Sequence, residues 1–161
     1  QYFIKMKKIL FVLFAFASFL VTAQQTVISA KYDNIGKFYN GIAIVRLNGK
    51  VGAINSDGKE VIKPEWDKLT GFGNDGIAFA HKDGLVGLIS KNGKILLKPN
   101  YQRISNFKFG KATITKDNLI GLVDNTGKIL IEPKYQKLVI EKGGLIRATE
   151  NGTEVLLKSA K

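Results

Sequence analysis

GIAFAHKDGLVGLISKNGKILLKP, residues 76–99, is the stretch that decides the fold, because much of it occurs again one step along the chain. Residues 110–133 read GKATITKDNLIGLVDNTGKILIEP, and 12 of the 24 aligned positions are identical. The three prolines of the chain keep the same step of 34 or 35 residues, at Pro64, Pro99 and Pro133. A period of roughly 20–50 residues indicates an array of repeated supersecondary units.

Each unit is predicted to form three antiparallel strands. In residues 76–99, Asp83-Gly84 is a two-residue hairpin turn, because glycine tolerates the positive φ angle that such a turn needs. The third strand is expected to stop at Pro99, which lacks the N–H group that a ladder requires. The predicted strands of this unit are Ile77–Lys82, Leu85–Ile89 and Lys94–Lys98.

Comparison of the units predicts which side chains face the core. On the first strand Ala78 and Ala80 occupy slots that are apolar in the other units too, whereas the slots between them tolerate water. On the second strand a glycine, Gly87 here, separates two apolar slots. Because glycine inside a strand marks a bulge or a close approach, we expect a large aromatic of a neighbouring unit, Trp66 or Tyr101, to lie against it.

The fold class that follows is all-β: a tandem array of three-stranded antiparallel β-meander repeats in an open, solenoid-like stack. A small closed barrel or a propeller-like arrangement is the alternative. The last unit is degenerate, since Glu154 stands where other units carry an apolar residue, and terminal repeats differ because one face meets water. The predicted units span residues 32–65, 66–100, 101–134 and 135–161.

The second and third strands carry a recurring motif: a hydrophobic-Gly pair, an Asx-x-Gly-Lys turn, an apolar pair, a proline and an aromatic residue. It reads VGAINSDGKEVIKPEW at residues 51–66, VGLISKNGKILLKPNY at 86–101 and IGLVDNTGKILIEPKY at 120–135. These residues resemble the WG-repeat (KWG-repeat) family of bacterial β-repeat proteins, with valine or isoleucine in place of the tryptophan of the name. The resemblance implies a β-repeat with no established enzymatic residues, so it transfers no catalytic role to this chain.

The first 23 residues have the pattern of a secretory signal peptide. Lys7-Lys8 precedes an apolar run, Ile9–Val21, and small residues follow up to Ala23. The run has 13 residues, fewer than the roughly 20 that span a bilayer. We therefore expect cleavage after Ala23, a repeat domain of residues 24–161 without a membrane span, and a secreted or periplasmic location at the cell envelope. Residues 1–5 precede the pattern as an upstream extension.

The charge of the chain favours an anionic partner. It carries 25 Lys and Arg against 13 Asp and Glu, a net charge of +12, and residues 24–161 keep 22 against 13, a net charge of +9. Outside the cytoplasm this charge suits an acidic glycan, the envelope surface or an acidic protein rather than nucleic acid. The alternative is that spread lysines only keep the protein soluble and its sheet edges unpaired. The chain has no cysteine, which excludes disulfides and thiol catalysis.

No catalytic, metal or cofactor site is predicted. His81 is the only histidine and lies in a water-tolerant slot without a predicted partner. The turns at 55–58 and 124–127 faintly resemble calcium loops, but a lysine follows each of them, and Asx and Gly also suit a tight turn. We therefore predict an exported, non-enzymatic protein that binds another macromolecule, either a protein or an acidic envelope glycan. A cell-envelope hydrolase or inhibitor accessory with an unrecognised site is the alternative.

Two sets of residues are candidates for binding. A lysine follows the second turn of each unit, and stacking would align these lysines along one edge: Lys59, Lys94 and Lys128. Phenylalanines in the links between units either form an exposed aromatic strip or cap the core beneath a loop: Phe72, Phe107 and Phe109.

Overall fold

The computed structural model describes residues 31–157, which form four antiparallel sheets in chain order. The first sheet holds β1 (Asn34–Ile35), β2 (Ile42–Leu47), β3 (Lys50–Asn55) and β4 (Glu60–Trp66). The second holds β5 (Lys68–Leu69), β6 (Ile77–Lys82), β7 (Leu85–Ser90) and β8 (Ile95–Tyr101). The third holds β9 (Arg103–Ile104), β10 (Lys111–Lys116), β11 (Leu119–Asp124) and β12 (Ile129–Tyr135). The fourth holds β13 (Lys137–Ile140), β14 (Ile146–Glu150) and β15 (Thr153–Leu157), with a 3-10 turn at Lys142–Gly144.

The sheets stack one after another, which confirms the predicted all-β array. Contacts between sheets run from β4 to β6, from β8 to β10 and from β12 to β14, and none of the four sheets closes into a barrel. In the described part of the chain, no helix is long and apolar enough to cross a membrane. The predicted signal peptide, residues 1–23, lies outside the described residues.

Two-residue hairpin turns join β2 to β3, β6 to β7, β10 to β11 and β14 to β15, as predicted. Asp83 has a φ angle of 53° and Gly84 one of 77°, the two positive angles of a type I′ turn, whose twist matches that of its strands. The same pair of positive angles recurs at Asn48-Gly49, Asp117-Asn118 and Asn151-Gly152. Asn and Asp are the side-chain-bearing residues that adopt this conformation most readily, so the turn chemistry follows from the sequence.

Each of the first three sheets gains a short fourth strand that the sequence did not predict. The chain leaves β8 at Tyr101, crosses at Gln102 and pairs again, as β9, with β10 of the next sheet. The crossing amides join the ladder: Gln102 N donates to Thr115 O at 2.9 Å, and Asp67 N donates to His81 O at 2.9 Å. One continuous run of backbone therefore belongs to two sheets.

The prediction that the third strand stops at its proline is wrong. β8 continues through Pro99 to Tyr101. The ladder is paired on both sides of Gly87, but three residues of β8, 98–100, face this single glycine. The proline therefore lies in a bulge, where no N–H group is needed for the ladder, and the same bulge recurs in β4 and β12.

The prediction that an aromatic side chain of a neighbouring unit lies against Gly87 is also wrong. A Cβ atom built on Gly87 would lie 2.7 Å from the carbonyl carbon of Lys98 and 2.7 Å from the nitrogen of Pro99. The bulged backbone of the same sheet fills this space, rather than Trp66 or Tyr101 of a neighbouring unit. The equivalent glycines of the first and third sheets meet the same strand of their own sheets.

Apolar clusters between successive sheets hold the stack together. Between the second and third sheets, Leu88 packs with Ile114 and Val123, and all three are fully buried. Ala78 and Ala80 are fully buried against the first sheet. The predicted core slots are thereby confirmed. Burying a branched aliphatic side chain stabilises a fold by about 1.5–3 kcal/mol, so each such layer is a major source of stability.

The second sheet buries both of its faces, whereas the sequence predicted one core face and one water-tolerant face. Ala78 and Ala80 belong to the cluster shared with the first sheet. Ile77 and Phe79, which alternate with them, pack on the cluster shared with the third sheet and are half-buried. The reason is geometric: a sheet inside a stack has a neighbour on each side.

The fourth sheet ends the described part of the stack, and its outer face is exposed. Leu156 occupies the slot of the fully buried Leu122 but is 57 % exposed. Arg147 stands where the second sheet carries a phenylalanine, and its guanidinium forms ion pairs with Glu141 at 2.8 Å and Glu154 at 3.5 Å. This is the unit whose sequence is degenerate.

Candidate functional site

The topology brings two kinds of loop to one end of the stack, which we call the turn end. One kind is the link before the first long strand of each sheet: residues 36–41, 70–76, 105–110 and 141–145. The other kind is the turn between the second and third long strands: residues 56–59, 91–94 and 125–128. They meet because strand pairing places Ile42 opposite Asn55, and because Lys91 N donates to Gly76 O at 2.8 Å. The hairpin turns lie at the opposite end, the hairpin end.

Each predicted lysine is exposed and closes one of the turns at the turn end. The N–H group of each lysine donates to the side chain that opens its turn: Lys59 to Asn55 Oδ1 at 2.9 Å, Lys94 to Ser90 Oγ at 3.2 Å and Lys128 to Asp124 Oδ1 at 3.0 Å. These local bonds fix the backbone in the same way in three successive sheets. The three lysines therefore start from equivalent positions along the turn end.

Lysines outnumber carboxylates in the turn-end loops. The turn-end loops carry seven lysines and three carboxylates: Lys37, Lys59, Lys91, Lys94, Lys108, Lys128 and Lys142 against Asp57, Asp75 and Glu141. All seven lysines are exposed, and within residues 31–157 none forms an ion pair. The hairpin turns and crossing residues carry four aspartates and no lysine: Asp33, Asp67, Asp83 and Asp117. The ion pair of Asp67 is with Lys50 of a flanking strand, at 2.6 Å.

The structure separates the three predicted phenylalanines. Phe72 is 6 % exposed in the cluster between the first and second sheets, and Phe107 packs on the cluster between the second and third. These two cap the core, so a strip of all three is not formed. Phe109 is exposed, as are two aromatic residues of the first link that the sequence did not single out. The exposed fractions are 51 % for Phe38, 62 % for Tyr39 and 60 % for Phe109.

A cleft of about 440 Å³ opens at the turn end between the links of the first two sheets. Asn40 and Ile42 line one side, and Phe72, Asn74 and Lys91 line the other. The ammonium and amide groups of this wall can donate hydrogen bonds to hydroxyl, carboxylate or phosphate oxygens. The cleft, the free lysines and the exposed aromatic residues therefore share one end of the molecule.

His81 lies on β6, near the hairpin end of its sheet, and is half-buried. Burial lowers the pKa of its imidazole, and Lys68 lowers it further, while Asp67 acts in the opposite direction. Within residues 31–157, no group of three or more His, Asp or Glu side chains is placed to hold a metal ion. The turns that faintly resemble calcium loops use their Asx side chains to accept backbone N–H groups, as at Asp124.

A family model for the WG containing repeat matches four consecutive segments of the chain: residues 22–50, 52–85, 87–119 and 120–153. The chain belongs to the WG-repeat family. No curated protein matches it.

The matched WG repeats begin and end near the hairpins rather than at the boundaries of the sheets. The segment 52–85 starts on β3 of the first sheet and ends at the start of β7 in the second. One WG repeat therefore contains a crossing and parts of two sheets. The glycine of the WG pair is the strand glycine at the bulge, and the tryptophan slot is filled by Val51 and Val86, which are 3 % and 5 % exposed.

Proposed function

We propose that this WG-repeat protein is an exported, non-catalytic binding protein whose turn end binds an acidic glycan of the cell envelope. The observation that carries the proposal is the excess of exposed lysines over carboxylates in the turn-end loops. Lysines without ion pairs collect in the turn-end loops, whereas aspartates occupy the hairpin turns and crossings. A positive surface attracts polyanions and raises their local concentration.

The repeat suits an extended ligand better than a small one. An exposed charge pair contributes only about 0.2–1 kcal/mol, so a single lysine binds an anion weakly. Lys59, Lys94 and Lys128 occupy equivalent positions in three successive sheets. A polymer that reaches all three lysines binds more tightly than one that reaches a single lysine, because each contact after the first is intramolecular.

The aromatic residues favour a glycan over other polyanions. Phe38, Tyr39 and Phe109 expose half or more of their surface at the turn end. The C–H face of a sugar ring can pack on such a ring and remove apolar surface from water. Asn40 and Asn74, which line the turn-end cleft, can exchange hydrogen bonds with sugar hydroxyls.

Export is part of the proposal and rests on the signal-peptide pattern of residues 1–23. It is what selects an envelope glycan instead of a nucleic acid as the polyanion. An acidic protein partner would meet the same lysines, and its binding would differ in not depending on sugar chemistry. The hydrolase or inhibitor alternative stays a prediction that no feature of the described residues favours.

The experiment is retention of residues 24–161 on a heparin column and on an immobilised uncharged polysaccharide. We expect retention on heparin alone, lost steeply between about 50 and 500 mM salt, since exposed charges are screened over that range. The triple variant Lys59→Gln, Lys94→Gln, Lys128→Gln should weaken heparin binding about threefold to a hundredfold, from three exposed contacts of ordinary strength.

The matched control removes the same three charges elsewhere, as Lys63→Gln, Lys98→Gln, Lys137→Gln. These lysines are exposed, lie on β4, β8 and β13, and form no ion pair within the described residues. Equal losses in the two triple variants would show that only net charge matters and would overturn the turn-end site. Absence of retention at low salt would overturn the proposal altogether.

A further inference from the structure

A second cleft, of about 180 Å³, lies between the second and third sheets on the side where β5 and β9 form the sheet edges. We call it the lateral cleft. It is separate from the turn-end cleft, which lies between the first and second sheets. Its polar and aromatic lining comes from both of its sheets: Thr70, Phe79 and His81 from the second, and Gln102, Arg103 and Asn106 from the third.

The inner wall of the lateral cleft is apolar and held in place. Phe79, Val86 and Ile104 line it. The Phe79 ring lies 6.3 Å from the Phe107 ring, centroid to centroid, at an interplanar angle of 35°. An aromatic ring fixed by a second ring offers a surface on which the C–H face of a sugar ring can be buried.

Gln102 breaks a hydrogen-bond pattern that the other sheets keep. At the equivalent position of each other sheet the side chain accepts the N–H of the hairpin turn: Asp33 from Asn48 at 2.6 Å, Asp67 from Asp83 at 2.7 Å and Gln136 from Asn151 at 3.0 Å. The side chain of Gln102 forms no such bond within the part of the chain that the structure describes. Its amide is therefore available in the cleft as both donor and acceptor.

Arg103 is the second feature that distinguishes this cleft. It is exposed, and among residues 31–157 its guanidinium forms no ion pair. A guanidinium can hold a carboxylate through two parallel N–H bonds, a geometry that lysine does not offer. At the equivalent position the second and fourth sheets carry lysine, in Lys68 and Lys137.

The corresponding position between the first and second sheets carries a carboxylate in place of the neutral Gln102. There the crossing residue is Asp67, a carboxylate, and it forms an ion pair with Lys50. A fixed carboxylate would repel an anionic ligand, while the neutral Gln102 does not. The combination of His81, Gln102 and Arg103 therefore occurs once in the described stack.

From these features we propose that the lateral cleft binds one carboxylated sugar ring, a uronic-acid residue, with its carboxylate on Arg103 and its ring on Phe79. Gln102, Asn106 and Thr70 donate and accept hydrogen bonds with its hydroxyls. The inference deepens the proposed function, on which its ligand class rests, by naming a uronate as the unit that the protein distinguishes.

His81 supplies the readout, because it is the only histidine of the chain and lines the cleft. The charged groups around it are Lys68, its cross-strand partner, Asp67 and Arg103. A carboxylate bound beside the imidazole favours its charged form. The imidazole resonances should therefore move on binding, and the pKa of His81 should rise.

The experiment is an NMR titration of the His81 imidazole in residues 24–161 with glucuronate, glucose and inorganic phosphate. We expect glucuronate to shift the resonance and raise the pKa, and the other two to bind at least tenfold more weakly. The Arg103→Gln variant should bind glucuronate about tenfold or more weakly, as expected when a hydrogen bond to a charged group is lost. Gln102→Asp should weaken it similarly by repulsion.

Arg46→Gln is the matched control, since Arg46 occupies the His81 slot of the first sheet and should leave the titration unchanged. An unmoved His81 resonance, equal binding of phosphate and glucuronate, or unaltered binding by Arg103→Gln would each overturn the inference. The two proposals fail separately. Heparin retention with an unmoved His81 resonance would overturn this inference alone, whereas a glucuronate response without heparin retention would overturn the proposed function and leave the lateral cleft as a uronate site.

Discussion

Replacing Gly87 with alanine tests a close backbone approach inside the second sheet. The new Cβ atom would lie 2.7 Å from both Lys98 C and Pro99 N, and it would also contact the carbonyl oxygen of Leu97. Carbon atoms normally pack at about 3.5–4.0 Å, so the bulge of β8 would have to move by about 1 Å. The atoms that must move are backbone atoms, which cannot turn aside as a flexible side chain would.

The expected cost follows from that geometry. Overpacking of a filled site costs about 1–3 kcal/mol, and displacing the bulge also disturbs the ladder on both sides of Gly87. Alanine returns about 0.5–1 kcal/mol through its smaller loss of backbone entropy. We therefore expect Gly87→Ala to lower the free energy of unfolding by about 1–2 kcal/mol, or the melting temperature by about 5 °C.

Urea denaturation followed by tryptophan fluorescence measures this change, because Trp66 is the only tryptophan and is buried between the first and second sheets. The matched control is Gly71→Ala. No atom lies within 4 Å of a Cβ atom at that position, and its φ angle is not in the left-handed region. Its unfolding free energy should stay within about 0.5 kcal/mol of the parent protein. If Gly87→Ala is as stable as this control, the bulge yields easily and the reasoning fails.

Two further changes test the stack and its acid stability. Leu122→Ala should cost about 2–5 kcal/mol in unfolding free energy, whereas Leu156→Ala, in the equivalent exposed slot, should cost about 0.5 kcal/mol or less; equal costs in urea denaturation would contradict the assignment of the outer face. The hydrogen bond from Lys50, and then that from Asp83 N, hold the pKa of Asp67 below its ordinary value of 3.8. The stability that this carboxylate contributes is therefore complete above pH 3.8 and is lost as pH falls through the lower folded-state value. When the pH is lowered from about 6 to about 2, the urea midpoint should fall less for Asp67→Asn than for the parent protein. An equal fall in both proteins would refute the linkage.

The sequence predicts the parts of this fold that local chemistry decides. The hairpins at Asp83-Gly84 and its equivalents need two residues that tolerate positive φ angles, and few residue types do so. The number and order of the sheets were predictable from the repeat period, because each repeat of the sequence pattern adds one set of strands. The inward slots of Ala78 and Ala80 were also predictable, because comparing repeats shows which positions stay apolar.

The features that were missed depend on neighbouring sheets. β5 has two residues, Lys68–Leu69, and it is a strand only because β6 lies beside it. Pro99 was read as a strand end because proline cannot donate to a ladder, but the bulge opposite Gly87 makes that donor unnecessary. Whether a face is buried depends on a second sheet, so the half-buried Phe79 was taken for a solvent-facing residue.

The candidate sites divide in the same way. The lysines closing the turns were found because they recur with the period, whereas Phe72 and Phe109 look alike in sequence and differ in burial. The exposure of Phe38 was not predicted, because nothing in the sequence separates it from the buried Phe72 of the next link. The lateral cleft had no sequence signal. Gln102 is of interest because its side chain does not bond to the hairpin turn, and the sequence does not show whether that bond forms.

The crossings at Asp67 and Gln102 have a mechanical consequence. Successive sheets are joined by one residue whose amide is itself bonded to the next sheet, so no slack segment separates them. Tilting one sheet against the next would break that bond and open the apolar layer between them. The crossing therefore opposes tilting of one sheet against the next. Groups at equivalent points of adjacent sheets, such as Lys59 and Lys94, are therefore offset by the step from one sheet to the next, and a bend of the stack has to change that offset at a crossing.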